Sequence, residues 1–221
     1  MSADSHTSSA PSARTRVRQA PARAHYDAHA LHRVLDACLV GHVSFVVDDW
    51  PMSIPTAIAR LDDWLYLHGS RSSRLYRVLA SGAPVSVSVC LVDGLVKARS
   101  TFHCSMNYRS AVVMGRAEVV PEEERAELLY RFSEHLIPCP RSAYREHLAK
   151  ELKATMLVRL PLDEASVKIR TGGPIDDEAD LTLPHWAGVV PLATTHGEPE
   201  PAADLATGIA VPDELRGLHE R

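Results

Sequence analysis

The sequence has no excess of positive charge. Its 24 Lys and Arg residues against 28 Asp and Glu residues give a formal net charge of −4, and the pI is about 6.3. A protein that binds nucleic acid needs a concentrated basic surface to neutralise phosphates. The composition therefore argues against a nucleic-acid partner.

Paired cysteines and long apolar runs are also missing. The spacing of the four cysteines contains no CxxC pair and matches no zinc motif, so buried reduced thiols are the simplest interpretation. No run approaches the roughly 20 apolar residues of a membrane-spanning helix, and no signal-peptide core follows Met1. We expect a soluble, cytoplasmic protein without a metal site or a membrane partner. The cysteines are Cys38, Cys90, Cys104 and Cys139.

Both ends of the chain differ in composition from its middle. Residues 1–24 are rich in Ser, Ala, Pro and Arg and lack a large apolar cluster, so burial cannot offset the entropy of ordering them. We expect a flexible basic tail, either solvated or lying over a partner subunit or an anionic ligand. Residues 193–221 form a second tail, rich in Pro, Ala and acids. One domain over 25–192 is predicted between the tails.

Within this domain, helical and strand periodicities alternate. Apolar spacing predicts helices over 28–40, where Gly41 would end the helix, and over 70–81. Pro121, followed by acidic residues in the first turn, predicts a third helix, and a shorter helix is expected over 141–152. Short connections favour an antiparallel barrel with packed helices over a doubly wound sheet. Alternating or β-branched segments predict strands over 42–47, 52–61, 64–69, 83–92, 95–101, 108–120, 154–162 and 165–171.

The segment LYLHGSRSSRL, residues 65–75, contains a strand-to-helix turn that could bind a phosphate group. The start of a helix offers free backbone N–H groups and the positive end of its dipole. Serine hydroxyls and arginine cations in the turn would add to this. An ordinary serine cap with solvated arginines explains the pattern equally well. The candidate residues are Ser70, Arg71, Ser73 and Arg74.

Two prolines interrupt the strand pattern of PMSIPTAIA, residues 51–59. Proline cannot donate to a strand ladder, so we expect an edge strand or a distorted strand here. An edge strand leaves backbone groups free to contact a flat polar heterocycle. A turn followed by a plain edge strand is the alternative interpretation.

Polar residues are unusually dense in STFHCSMNYRSAVVMGRA, residues 100–117. They could line a pocket, or they could form a solvated loop in which Tyr108 caps the core. Further along, the acids of GGPIDDEAD precede His185 and Trp186, which would suit a metal site or a proton relay. Because no second histidine lies at ligand spacing, we expect no metal there.

Taken in their order along the chain, these four segments resemble the nitroimidazole-resistance (Nim) branch of the pyridoxamine-5'-phosphate-oxidase-like superfamily. ELKATMLVRLPL also matches, and the resemblance covers residues 25–192. It implies a mainly β protein with some α structure, namely a six-stranded antiparallel split barrel with flanking helices. It also implies a homodimer that binds FMN in a groove between the subunits.

The resemblance further implies roles for individual residues. The strand-to-helix turn would hold the cofactor phosphate, and Trp186 would close the groove. His68, the histidine of the LHG motif, would lie beside cofactor and substrate as the candidate catalytic residue; a hydrogen bond to the barrel rim is its alternative role. The backbone of Ile54, Pro55 and Thr56 would face the flavin ring. The ring would also be approached, from the same subunit or from the partner subunit, by Asn107, Tyr108, Arg109 and Ser110.

The implied function is a flavin-dependent reductase. FMN would take a hydride from a reduced nicotinamide or another donor and pass electrons to a small electrophile such as a nitroaromatic. His68 could donate a proton or orient the substrate. Alternatives are an F420-dependent reductase, a haem-binding or haem-degrading protein with His103 or His196 on the iron, and a flavin-storing or flavin-sensing protein. The basic residues that clamp pyridoxal phosphate in the oxidase branch have no convincing counterpart, so vitamin-B6 oxidation is not expected.

Overall fold

The computed structural model describes residues 9–218, which form eleven strands and five α-helices. None of the helices in this range combines the length and the apolar character needed to span a bilayer. The helices are α1 (Ala28–Asp36), α2 (Arg74–Ala80), α3 (Glu122–Leu136), α4 (Ala149–Ala154) and α5 (Asp213–Arg216). The strands are β1 (Ala24–His25), β2 (Val40–Val47), β3 (Trp50–Ala57), β4 (Ala59–Leu61), β5 (Trp64–Ser70), β6 (Pro84–Lys97), β7 (Ser105–Arg116), β8 (Glu118–Val119), β9 (Thr155–Pro161), β10 (Ala165–Arg170) and β11 (Gly188–Pro191).

The strands form two antiparallel sheets. The first has the order β1-β10-β7-β6-β2-β3, with β11 paired to the last part of β6, and the second has the order β4-β5-β9-β8. Only Ile58 separates β3 from β4, so the chain passes directly from the first sheet into the second. The two sheets do not close into one ladder. This arrangement confirms the predicted split barrel. Seven of its strands have six or more residues, one more than the resemblance implies, and four shorter strands add to them.

The main core lies between the two sheets. Alternate side chains of each strand point inward, as the period of two requires. Helices α1 and α2 pack against the same core. Leu35 of α1 and Leu79 of α2 are almost completely buried there. The core residues from the sheets include Val43, Val87, Val113, Leu65, Leu67, Val158 and Leu160.

A second apolar cluster lies on the other face of the second sheet, where α3 packs. Phe132 of α3 is fully buried against Tyr66 and Leu157, which point away from the main core. Arg125 of the same helix is also buried, and its guanidinium donates to the carbonyl of Leu152 at 3.3 Å. The outer face of the second sheet is therefore covered within the subunit.

The outer face of the first sheet has no such cover among the described residues. Val40 and Val46 of β2 are 49% and 62% exposed, and Cys90 of β6 is also exposed. We call this surface the open face. Its central residues are small and lie in cross-strand register, and they include Ser44, Ser53, Ser86, Ser88 and Ser110.

Several predicted elements differ in detail, among them the single strand expected over 52–61, which is β3 and β4 in different sheets. Helix α1 ends at Asp36, and Gly41 lies inside β2 instead of ending the helix. A Cβ at Gly41 would come within 2.9 Å of Val87 Cγ1, so this glycine allows close packing. The segment 95–101 is not a separate strand, since β6 continues to Lys97. Of the helix expected over 141–152, the structure has a 3-10 turn at Arg141–Ala143 and, later, α4.

The described parts of the two predicted tails differ from each other. Near the amino terminus, Thr15 is buried and the amide of Val17 donates to the Tyr26 hydroxyl at 2.8 Å. Most of the segment after Leu192 is exposed. Residues 1–8 and 219–221, which belong to the predicted tails, lie outside the described residues. The domain limits at 24 and 193 stay predictions.

Candidate functional site

Strand β3 lies at the edge of the first sheet, as its prolines predict. It pairs with β2 along its whole length, and the order of the sheet ends with it. The predicted contacts Ile54, Pro55 and Thr56 all belong to this strand. Its second edge therefore leaves backbone N–H and C=O groups without partners in the ladder, which are groups that a polar heterocycle could bind.

Helix α2 and the end of β5 lie beside β3. The Arg74 guanidinium contacts Met52 Sδ at 3.4 Å. The hydroxyls of Thr56 and Tyr76 are 3.4 Å apart, and the Tyr76 hydroxyl donates to the backbone carbonyl of His68. Tyr76 thus joins three elements, and its burial raises the pKa of its phenol. The structure brings two of the predicted groups together, the β3 strand and the strand-to-helix turn.

The turn before α2 carries exposed donors. Ser73 is the N-cap residue, and its hydroxyl makes no capping hydrogen bond. The hydroxyls of Ser70 and Ser72 are 2.8 Å apart. Arg71 and Arg74 are exposed, and no carboxylate of the described residues forms a salt bridge with either. Two uncompensated cations and several hydroxyls in one turn could bind a phosphate or pyrophosphate group.

His68 lies on β5 with its ring turned away from the main core. The ring packs edge-on against Phe132, with centroids 4.4 Å apart, and its cross-strand partner is Leu157. Nδ1 is buried without a hydrogen-bond partner. Burial lowers the pKa of the imidazole, so the ring is neutral at pH 7. Only the backbone of His68 takes part in the contact with α2.

The predicted group 107–110 is divided between the two faces of β7. Tyr108 and Ser110 lie in register with Val92 and Cys90 on the open face. Asn107 is on the other face, where its side-chain oxygen Oδ1 accepts from the Arg170 guanidinium. Arg109, on the same face, donates two hydrogen bonds of 2.9 and 2.7 Å to the Asp93 carboxylate. Alternation along a strand makes this division unavoidable.

This group also lies far from β3 within one subunit. Strands β6 and β2 come between β7 and β3, and three strand spacings correspond to about 14 Å. Trp186 is 62% exposed and packs on Gly188, which begins the strand paired to the end of β6. Neither Trp186 nor the 107–110 group therefore completes the β3 site from within the same subunit.

The acids of the carboxy-terminal motif do not act together with His185. Asp176 instead binds the amide and guanidinium of Arg99 at 2.7 and 2.8 Å, and Asp177 lies 3.2 Å from His103 Nε2. These contacts tie the loop after β6 to the loop after β10. Within 9–218, no three His, Cys, Asp or Glu side chains are grouped so as to hold a metal ion.

Sequence reasoning missed Tyr76 and Phe132. Tyr76 was one residue of a helical pattern, and Phe132 was one apolar residue of α3. Phe132 acquires its role by contact with His68, which is distant in sequence. Tyr76 acquires its role by contacts with β5 and β3 that the helical spacing does not reveal. Gly69 of the LHG motif is different, because a Cβ there would lie 2.2 Å from Tyr76 Cε2. A glycine in this motif does indicate close approach of another group.

The class of protein is defined by an antiparallel split barrel with a free edge strand beside a turn rich in serine and arginine. The family model described as pyridoxamine 5'-phosphate oxidase matches residues 27–169. The chain belongs to this family. A search of curated proteins found no match.

Two solved structures are similar over nearly the whole chain. The flavocytochrome Anf3 from Azotobacter vinelandii is 38% identical, with 93% of this chain and 96% of that chain covered and a TM-score of 0.89. An FAD- and haem-binding protein from Mycobacterium smegmatis is 37% identical, with 89% and 97% covered and a TM-score of 0.86. A candidate 5-nitroimidazole antibiotic resistance protein from Bacteroides thetaiotaomicron is 18% identical, covers 66% and 86%, and has a TM-score of 0.56. This third likeness concerns the fold alone.

Proposed function

We propose that the chain is a flavin- and haem-binding oxidoreductase, a flavocytochrome. The main support is its likeness, at 37–38% identity over about nine-tenths of the chain, to a flavocytochrome and to an FAD- and haem-binding protein. A flavin supplies hydride and electron transfer, and a haem supplies one-electron chemistry. In this proposal haem is a second cofactor, whereas the sequence suggested it as an alternative to flavin.

The flavin site would consist of the β3 edge and the turn before α2. The backbone of Ile54, Pro55 and Thr56 would contact the ring. Arg71 and Arg74, which have no carboxylate partner among the described residues, would bind the phosphates with the help of Ser70 and Ser73. We favour FAD over the FMN that the sequence resemblance implies, because the Mycobacterium smegmatis relative binds FAD. FMN and F420 remain the alternatives for the test to exclude.

We further propose that two copies pack through their open faces. The open face carries exposed apolar side chains, including Val40, Val46 and Val92, together with Tyr108 and Ser110. Because the 107–110 group lies about 14 Å from β3 within one subunit, it can approach a flavin on β3 only from a second copy. The homodimer would therefore complete the cofactor site.

A reduced nicotinamide as donor and a small electrophile such as a nitroaromatic as acceptor follow from the resemblance to the Nim branch. The cytoplasm, expected from the sequence, would supply a nicotinamide donor.

The first test is an absorbance spectrum of the full-length protein produced with haem and flavin precursors supplied. Mass spectrometry of the released cofactors would then distinguish FAD from FMN and F420. We expect FAD and haem, each in a fixed ratio to protein. A protein that takes up neither added FAD nor added FMN contradicts the proposed flavin site, and flavin without haem removes the haem half alone. Anaerobic reduction by NADH or NADPH, followed by addition of a nitroaromatic, tests the proposed donor and acceptor.

A further inference from the structure

We propose that a large cavity at one end of the open face binds a planar aromatic electrophile whose far end carries a carboxylate. This inference rests on the proposed function, because it names the class of acceptor that the flavin would reduce. The cavity has a volume of about 810 Å³ and extends across β3, β2, β6 and β7. Cavities of this size suit small organic molecules.

The cavity begins where the proposed flavin site ends. Its lining includes Met52 and Ser53 of β3, which directly precede the backbone proposed to contact the flavin ring. The Arg74 guanidinium of the turn before α2 lies 3.4 Å from Met52 Sδ. An acceptor must lie against the flavin ring to react with it. Three smaller cavities elsewhere in the described part of the chain contain no residue of β3, so they are too remote from the ring.

The register of the strands builds the floor of the cavity from two cross-strand rows on the open face. The first row, with one residue from each strand, consists of Ser53, Ser44, Ser86 and Met114. The second row, two residues away on each strand, consists of Pro51, Val46, Pro84 and Arg116. Hydroxyl groups beside flat apolar side chains suit a planar ring that carries polar substituents.

Arginines at the β7 end of the cavity favour an anionic group on the ligand. Arg116 and Arg14 line the cavity, whereas no Asp or Glu within residues 9–218 does. Arg14 lies 3.7 Å from the Glu164 carboxylate, but none of the described carboxylates forms a salt bridge with Arg116. One nitrogen of the Arg116 guanidinium donates to the carbonyl of Gly82. The other nitrogens are free to bind a ligand carboxylate by charge-assisted hydrogen bonds.

The spacing of the strands sets the length of the ligand. A reducible group over β2 would lie next to a flavin on β3, and two strand spacings, about 10 Å, separate β2 from β7. Two linked aromatic rings bridge this distance, so a nitrobiphenyl carboxylate with its two groups at opposite ends is a suitable probe. In the proposed dimer, the second copy would cover this end of the open face and enclose the ligand.

The test is isothermal titration calorimetry of the full-length, flavin-loaded protein with this carboxylate and with the corresponding carboxamide, which has the same shape without the charge. We expect the parent to bind the carboxylate about tenfold more tightly, because charge-assisted hydrogen bonds are stronger than neutral ones. Arg116→Gln should remove this preference, while its amide keeps a donor for the Gly82 carbonyl. Arg77→Ala removes an exposed arginine of α2 and should keep the preference.

Met114→Trp provides a second test that does not depend on charge. The larger side chain would occupy the floor of the cavity, so both ligands should bind more weakly. Thermal unfolding and sedimentation check that each variant folds and associates as the parent does.

Equal affinities of the parent for the two ligands, or an unchanged preference in Arg116→Gln, would overturn the inference and leave the proposed function intact. Loss of flavin from folded Arg116→Gln would also overturn it, because the cavity would then belong to the cofactor. A parent that takes up no flavin contradicts the proposed function instead. If that protein still prefers the carboxylate and Arg116→Gln does not, the anion site stands without the flavin.

Discussion

The Tyr76 hydroxyl donates a hydrogen bond to the backbone carbonyl of His68, while the Tyr76 ring lies directly over Gly69. This contact fixes α2 against the end of β5. It also places the turn before α2 beside β3, since Thr56 lies 3.4 Å from the same hydroxyl. The geometry of the candidate flavin site therefore depends on a tyrosine that reaches over a glycine.

Replacement of Gly69 by alanine should displace Tyr76. The added Cβ would lie 2.2 Å from Tyr76 Cε2, and overpacking of this kind costs about 1–3 kcal/mol of unfolding free energy. Urea denaturation measures the loss, and flavin affinity should fall with it. Gly173→Ala is the control, because a Cβ there meets nothing within 4 Å. Equal stabilities for the two variants would contradict the proposed role of the Tyr76 contact.

Simultaneous replacement of Arg71 and Arg74 by alanine should weaken flavin binding. Charge-assisted hydrogen bonds to a phosphate group contribute about 1.5–3 kcal/mol each, so we expect at least about a tenfold higher Kd from fluorescence titration. The effect should diminish at high salt, since exposed charges are screened. Arg77→Ala, an exposed arginine in the last turn of the same helix, should bind flavin as the parent does. If it weakens binding equally, the turn is not the phosphate site.

A charge placed at the centre of the open face should prevent dimerisation. Ser88 lies between His42 and Val112 in the sheet, so Ser88→Arg would place a long charged side chain within the proposed interface. Sedimentation should show a monomer, and flavin should be lost with the partner's contribution. The control Glu123→Arg introduces the same side chain on the exposed side of α3 and should remain dimeric. A Ser88→Arg dimer would show that the interface lies elsewhere.

Cysteine alkylation gives an independent measure of the same interface. Cys90 is exposed on the open face of a single subunit, so it should be protected in the parent and reactive in Ser88→Arg. Cys104, exposed in the loop before β7, should react in both proteins. Burial raises the pKa of Cys38 to about 11, so this thiol should react only after unfolding. Rapid alkylation of Cys90 in the parent would argue against the proposed dimer.

The ion pair of Asp93 and Arg109 should make stability depend on pH in the acid range. The hydrogen bonds from Arg109 hold the pKa of Asp93 below its ordinary value. A lowered pKa in the folded state contributes stability above the pKa of the unfolded chain, about 4. That contribution disappears as the pH falls through the lower, folded value. Asp93→Asn should therefore flatten the stability profile below about pH 4. Asp204→Asn, at an exposed position in the carboxy-terminal segment, should not.

Local patterns in the sequence were sufficient for much of the fold. Prolines at 51 and 55 predicted an edge strand, and β3 lies at the edge of its sheet. Serines ahead of an apolar helical stripe predicted the turn before α2, where Ser73 is the N-cap residue. These predictions succeed because backbone donors, strand alternation and helix periodicity act over a few neighbouring residues.

Long-range packing decided how these elements form a site. The sequence placed four consecutive polar residues, 107–110, in one group, but the pleat of β7 sends two to each face. Gly41 was expected to cap a helix, yet it lies in β2 where Val87 and Ile58 leave no room for a side chain. The role of Gly41 depends on partners more than 15 residues away, which no local pattern specifies, and so does the choice of which face of β7 points into the core.

The sequence by itself determined that a histidine, His68, lies near the end of a strand, directly before a turn rich in serine and arginine. The tertiary structure decided which way its ring points. The pairing of β5 with β9 sets its face, and Phe132 of α3 supplies the contact. That direction leaves Nδ1 of the ring buried and without a hydrogen-bond partner, because the side chains that meet the ring there, Phe132 and Leu157, are apolar.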